Sequence, residues 1–120
     1  MRLNRTNTRK EVMNLKKVFV VNDSGHDFAQ AKVYGELTTL SHGLVDRFNV
    51  MAMLRTFEPV LENSSPEDYI LHTGPGVMSA VACAVFAAKH GRLNLLLWRA
   101  ERDGNDRYVH RKLLFKKGER

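Results

Sequence analysis

The sequence predicts an α/β fold: a small, open, mostly parallel sheet of Rossmann/flavodoxin-like type, with a C-terminal antiparallel hairpin strand. Three observations predict it. Strand-like and helix-like segments alternate in the order β-α-β-α-β-α-β-β, which implies parallel strands joined by crossover helices. The runs at 18–22, 69–72 and 93–98 are apolar without polar alternation, as suits strands buried on both faces. Glu67 to Trp98 reads as one complete unit of strand, Gly-bearing turn, small-residue helix and strand.

Residues 1–16 show no strong period. Thr8 to Leu15 admits a short helix, but the segment reads as a basic arm that a partner would order. Lys17 to Asn22 is the first strand, and the polar turn Asn22-Asp-Ser-Gly-His26 follows it. Asp27 to Tyr34 reads as a short helix with Phe28, Ala31 and Tyr34 on one face and Gly35 at its end. Glu36 to Ser41 is strand-like but half polar, which suits a sheet edge. His42-Gly43 then turns the chain. Asp46 is the expected N-cap of a longer helix running to about Glu62. Phe48, Met51, Leu54 or Arg55, Glu58 and Leu61 recur there at helical spacing, with Phe57 adjacent. Pro59 is expected to kink that helix or end its regular part. Asn63-Ser-Ser-Pro66 signals a loop.

Asp68 to His72 is the third strand, and Thr73-Gly-Pro-Gly76 a tight turn. Val77 to His90 is a helix that is apolar nearly all round, ended by Lys89, His90 and Gly91. A helix without a polar face is expected to be covered on both sides. Leu93 to Trp98 is the fourth strand. Trp98 is expected to pack, or, where exposed, to stack on a base. Asp103-Gly104 signals a hairpin, from which Tyr108 to Phe115 returns antiparallel. The polar strand belongs at one edge and the hairpin strand at the other, giving the spatial order 2-1-3-4-5. Residues 17–115 form one domain, and 116–120 a basic tail.

A chain of 120 residues is of single-domain size. Its lone cysteine, Cys83, allows no internal disulfide and fits a reducing, cytoplasmic setting. The longest apolar run is about fourteen residues against the roughly twenty a bilayer needs, and the polar start is unlike a signal peptide. No membrane partner is expected. Net charge is +6, unevenly spread. Residues 1–17 and 110–120 together hold eleven basic residues against two acidic, while the middle holds eight against eleven. Basic ends attract nucleic acid or another polyanion. No aromatic residues interleave the N-terminal arm as stacking platforms.

In open α/β sheets ligands sit outside the carboxyl ends of the strands, at the topological switch point. In the expected order that point lies between the first and third strands. The candidate binding residues are Asn22, Asp23, Ser24, Gly25 and His26 after the first strand, and Thr73, Gly74 and Gly76 after the third. Ser41 and His42 join them from the end of the second. One chemistry is an anion site: Gly74 and Gly76 permit close backbone approach, the next helix offers free N–H groups, and Thr73 and Ser24 add hydroxyls. Pro75 removes one N–H, and without G-x-x-x-x-G-K the turn is no P-loop. The plainer alternative is a turn that only admits a buried helix.

A second chemistry is a metal or acid–base centre built from Asp23, His26, His42 and His72. No two of these stand at the i, i+4 spacing of one helix face, so only the fold brings them together, and no metal set is assigned. Asp23 equally caps the turn that follows it. Ser24 lies in no G-x-S-x-G elbow and Cys83 in mid-helix, so no catalytic residue is assigned and no cofactor expected.

The Thr73-Gly-Pro-Gly-Val-Met78 tract enters an alanine-rich helix and is followed by a strand hairpin. It loosely resembles the ligand loop of CRISPR-associated Rossmann-fold cyclic-oligonucleotide sensor domains. The likeness covers about a third of the chain. The lysine usual in that loop is absent and Val77 sits near its place, so no family is assigned from it.

The leading expectation is a non-catalytic binding protein for a phosphate-bearing ligand, a nucleotide or nucleic acid, at the loops after strands one and three. One alternative is a metal-assisted or acid–base phosphoryl or hydrolytic enzyme using Asp23 and the strand-end histidines. Another is a structural or assembly protein forming a homodimer or higher oligomer.

Overall fold

The computed structural model describes residues 15–115. The arm before Leu15, with the helix expected from Thr8, and the tail 116–120 lie outside the described residues. Five strands form one sheet: β1 (Lys17–Val20), β2 (Glu36–Thr39), β3 (Tyr69–Leu71), β4 (Arg92–Arg99) and β5 (Arg107–Leu114). Their spatial order is β2-β1-β3-β4-β5, as the sequence predicts. The first four are parallel, and β5 runs antiparallel to β4. The helices are α1 (Val50–Leu61) and α2 (Gly76–His90).

The apolar run of β1 has the place its composition demands. Val18 and Val20 point to one face, Phe19 and Val21 to the other, and none is more than 1% exposed. Phe19 and Ile70 meet Met53, Phe57 and Leu61 of α1 and Met78, Ala82 and Phe86 of α2. Both helices therefore lie on the same face. The first connection moves the opposite way along the sheet, so a right-handed crossover places it on the other face. There Phe28 and Ala31 cover Val18, Val20, Leu71 and Leu96.

That first connection departs from expectation. In place of a helix over 27–34 it holds a 3-10 segment, Ala29–Val33. Asp27 Oδ1 accepts Ala29 N–H at 2.9 Å and starts it. Gly35 ends it where the chain presses against the Lys16 carbonyl, which accepts Glu36 N–H at 2.7 Å; a Cβ at Gly35 would collide with that carbonyl. So little chain between two fixed ends allows only a short turn, and this face is thinly covered.

In α1 the cap is Asn49, whose Oδ1 accepts Ala52 N–H at 3.1 Å. Asp46, the expected cap, closes the preceding turn by accepting Phe48 N–H at 3.0 Å. The helix starts later than expected, and the stripe it buries is Met53, Phe57 and Leu61, with Phe48 87% and Met51 54% exposed. Pro59 does not end the helix, which runs on to Leu61. It stands in the last turn, where its missing N–H deprives only the Arg55 carbonyl.

Helix α2 ends at Gly91 with φ +70°, whose N–H reaches the Ala87 carbonyl at 2.8 Å. Met78, Ser79, Ala82 and Phe86 are buried, whereas Ala80, Ala84 and Ala88 are exposed. The expectation of cover on both sides therefore fails within one chain. The sheet takes one face and α1 a flank, and among the described residues no layer lies outside. Cys83 is half-buried and unpaired, and burial pushes its thiol up to about 11.

The hairpin pairs Arg92 with Leu114 through to Arg99 with Arg107. Asp103-Gly104 lies in a longer loop than a two-residue turn, in which Asp103 Oδ1 accepts Asn105 N–H at 3.0 Å and Gly104 takes φ +84°. At the amino end of the sheet, buried Asp68 accepts Lys17 N–H and Ser65 N–H, both at 2.8 Å. Buried Asn94 donates to the Pro66 and Asp68 carbonyls, also at 2.8 Å. These bonds fix β1, β3 and β4 in register at the end opposite the candidate site.

Candidate functional site

The candidate turns after the strands lie side by side. Beyond β1 and β2 the chains remain paired by a parallel bridge between Asp23 and His42. Asp23 N–H donates to the Ser41 carbonyl and Gly43 N–H to the Asp23 carbonyl, each at 2.9 Å. The third turn closes on the first: a Cβ at Gly74 would stand 3.1 Å from Asn22 Cβ. Gly74 also takes φ +81°, a left-handed conformation that costs other residues roughly 1–2 kcal/mol.

Within this rim the candidate residues divide by what their side chains already hold. Asn22 is 4% exposed; its Nδ2 donates to the Gly43 carbonyl at 3.0 Å and its Oδ1 accepts from Ser41 Oγ at 2.9 Å. The single Ser41 hydroxyl proton is shared between that oxygen and the Val21 carbonyl, 2.7 Å from Oγ. These two side chains build the rim. Asp23 Oδ1 accepts Gly25 N–H at 3.0 Å, closing an Asx turn. Ser24, Gly25, His26, His42, Gly74 and Gly76 are exposed, and Thr73 is half-buried.

Helix α2 begins on the same rim. Pro75 is its N-cap residue in extended geometry, with no side-chain cap bond. The amides of Gly76 and Val77 precede the first helical hydrogen bond, which Met78 N–H makes to the Pro75 carbonyl at 3.0 Å. Among the described residues nothing lies within 4 Å of where a Gly76 Cβ would stand, so they leave this end of the helix open. His72 is tethered beside it, Nδ1 lying 2.7 Å from Ser79 Oγ. Such an arrangement presents hydroxyls, imidazoles and free amides to an anion.

Metal chemistry finds less here. Among the described residues no three His, Cys, Asp or Glu side chains gather closely enough to hold a metal ion, so the four groups singled out from the sequence do not form a ligand set. Among the described residues no helix is long and apolar enough to cross a membrane.

Two residues at the rim, Asp27 and Tyr108, escape sequence reasoning, whereas Trp98 is among its expectations as a residue that packs or, where exposed, stacks on a base. Asp27, Trp98 and Tyr108 line a cleft of about 360 Å³ together with His26, His72 and Thr73. Trp98 pairs with Tyr108 across β4 and β5, their rings edge to face with centroids 4.8 Å apart. Burial, with the Asp27 carboxylate nearby, pushes the Tyr108 phenol above its ordinary value. A sole tryptophan at the carboxyl end of a core strand was the available signal. Its neighbours depended on the hairpin register.

Residues 16–112 match the family described as phage Pam3 gp32-like protein, and the chain belongs to that family. No curated protein and no solved structure matches it.

Proposed function

We propose that this member of the phage Pam3 gp32-like family is a non-catalytic binding protein for a phosphate-bearing ligand, a nucleotide or a piece of nucleic acid. The ligand sits on the turns after β1 and β3. One observation carries the reading: the Asn22–Gly74 contact sets the exposed Ser24–His26 turn beside the open amino end of α2, at the switch point of the sheet. The basic residues near both ends of the sequence support a polyanionic ligand. The chain's lone cysteine, Cys83, which has no partner for an internal disulfide, accords with a reducing cytoplasm.

The acid–base alternative draws on the same rim and has weaker support. Asp23 commits one oxygen to Gly25 N–H and His72 one nitrogen to Ser79, which suits turn-building better than proton transfer. Assembly into homo-oligomers has its own observation. Leu44, Phe48, Val50 and Met51 are 105%, 87%, 44% and 54% exposed on one short stretch, an apolar patch of the kind that marks an interface.

A thermal-shift screen of inorganic pyrophosphate, nucleotides and short oligonucleotides tests the binding reading. Stabilisation of several degrees is expected at millimolar ligand, since binding at a hundredfold excess over Kd contributes about 2.7 kcal/mol. An unchanged Tm with every probe sinks it.

A further inference from the structure

The cleft beside the rim differs chemically from the rim itself. Its one carboxylate, Asp27, repels an anion, and none of its eight lining residues is a lysine or arginine. Its walls are instead aromatic. Trp98 is 48% exposed although it lies in a core strand, and its ring is held edge to face by Tyr108, which is 9% exposed. A rigid, half-exposed indole offers stacking area at little entropic cost. The volume, about 360 Å³, falls in the range of small-ligand sites.

Polar groups then narrow the occupant. Asp27 Oδ1 accepts Ala29 N–H at 2.9 Å, and among the described residues its other oxygen is left as an acceptor. That oxygen suits an exocyclic amine and opposes a carbonyl. Thr73 belongs both to the cleft and to the turn leading into α2, so the two regions are continuous. We propose that the cleft is a nucleobase slot in which an amino-bearing base stacks on Trp98 while its phosphate reaches the Gly74–Val77 turn. The placement of the phosphate rests on the function proposed above; the base slot does not.

Trp98 is the only tryptophan, so its fluorescence reports on the slot directly. The full chain is titrated with adenosine monophosphate, adenosine, uridine monophosphate and ribose 5-phosphate, following both fluorescence and thermal shift. Adenosine monophosphate is expected to quench Trp98 and to bind about tenfold or more tighter than uridine monophosphate. Ribose 5-phosphate is expected to stabilise without quenching. Trp98→Ala should weaken adenosine monophosphate about 5- to 100-fold, the range of one lost stacking contact, and leave ribose 5-phosphate unchanged. Trp98→Phe should restore most of the affinity.

Ribose 5-phosphate binding with no gain from the base overturns the slot and leaves the phosphate reading standing. Quenching by adenosine without stabilisation by ribose 5-phosphate supports the slot and overturns the phosphate reading. Equal loss of both ligands in Trp98→Ala marks the indole as merely structural and overturns the slot. No quenching by any purine probe at millimolar concentration does the same.

Discussion

The sequence marks Asn22 as a binding residue for its place after a core strand, yet its side chain is occupied by Gly43 and Ser41. A short polar residue between strand and turn has the same appearance whether it binds a ligand or ties two loops. Only its partners separate the roles. Asp68 makes the same point at the other end of the sheet. It is 3% exposed and holds two backbone amides, so Asp68→Ala should cost about 2–3 kcal/mol in urea unfolding, because charge-assisted bonds are lost and their donors stranded. Its neighbour Glu67 has a 54% exposed carboxylate and only a 3.5 Å ion pair with Arg92. Glu67→Ala should shift stability by no more than about 0.5 kcal/mol. Equal effects would refute the role given to Asp68.

His110 carries a pH prediction. Its ring lies edge to face on Tyr69 at 5.0 Å, and its Nε2 is buried without a hydrogen-bond partner among the described residues. Burial first, then Lys112, Arg92, Arg111 and Lys16, lower its pKa below 6.5. His90, beside Phe86 and Ser64, is lowered by burial and Lys89. A group with a depressed folded pKa binds its proton better when unfolded. Its stabilising contribution is therefore full above 6.5 and is lost as pH falls from there through the folded value. Tm of the native chain should fall more steeply between about pH 7 and pH 5 than Tm of the His90→Gln/His110→Gln variant. Parallel curves would remove both histidines from the account.

At the scale of elements, α2 joins fold and proposed function. Its limits were legible in the sequence, because a run of small apolar residues followed by Lys89, His90 and Gly91 has one reading at its end. Its uncovered outer side was not legible, since composition does not say how many layers surround a helix. At its amino end, Gly76→Asp separates stability from binding. The new side chain enters open space, and a carboxylate at a helix amino end gains about 0.3–1 kcal/mol. Tm should hold or rise, while stabilisation by pyrophosphate should vanish through charge repulsion. If pyrophosphate still stabilises the variant, the anion is held elsewhere. In α1 the expected apolar phase was wrong by part of a turn. Asp46 and Asn49 are both good caps, and the packing of Met53 and Phe57 against the sheet chose the second.

For the whole molecule, the exposed apolar stretch from Leu44 to Met51 and the open outer side of α2 bear on assembly. Light scattering at low and high salt tests the homo-oligomer reading. Apolar contacts persist in salt whereas contacts of charged tails weaken, so a mass above one chain at both salts, lost in Phe48→Asp, is the expected result. A one-chain mass at every concentration and salt would end that reading.

The sequence alone determined the order of strands and helices, which strands are interior, and the edges. Two-sided burial requires continuous apolar runs, and strand order follows from where those runs must lie. Tertiary structure decided what faces what: Gly74 against Asn22, Trp98 against Tyr108, and the bare side of α2. Those pairings join segments far apart in the chain, and the energy that selects them comes from packing and register across the sheet, which no local run of residues encodes.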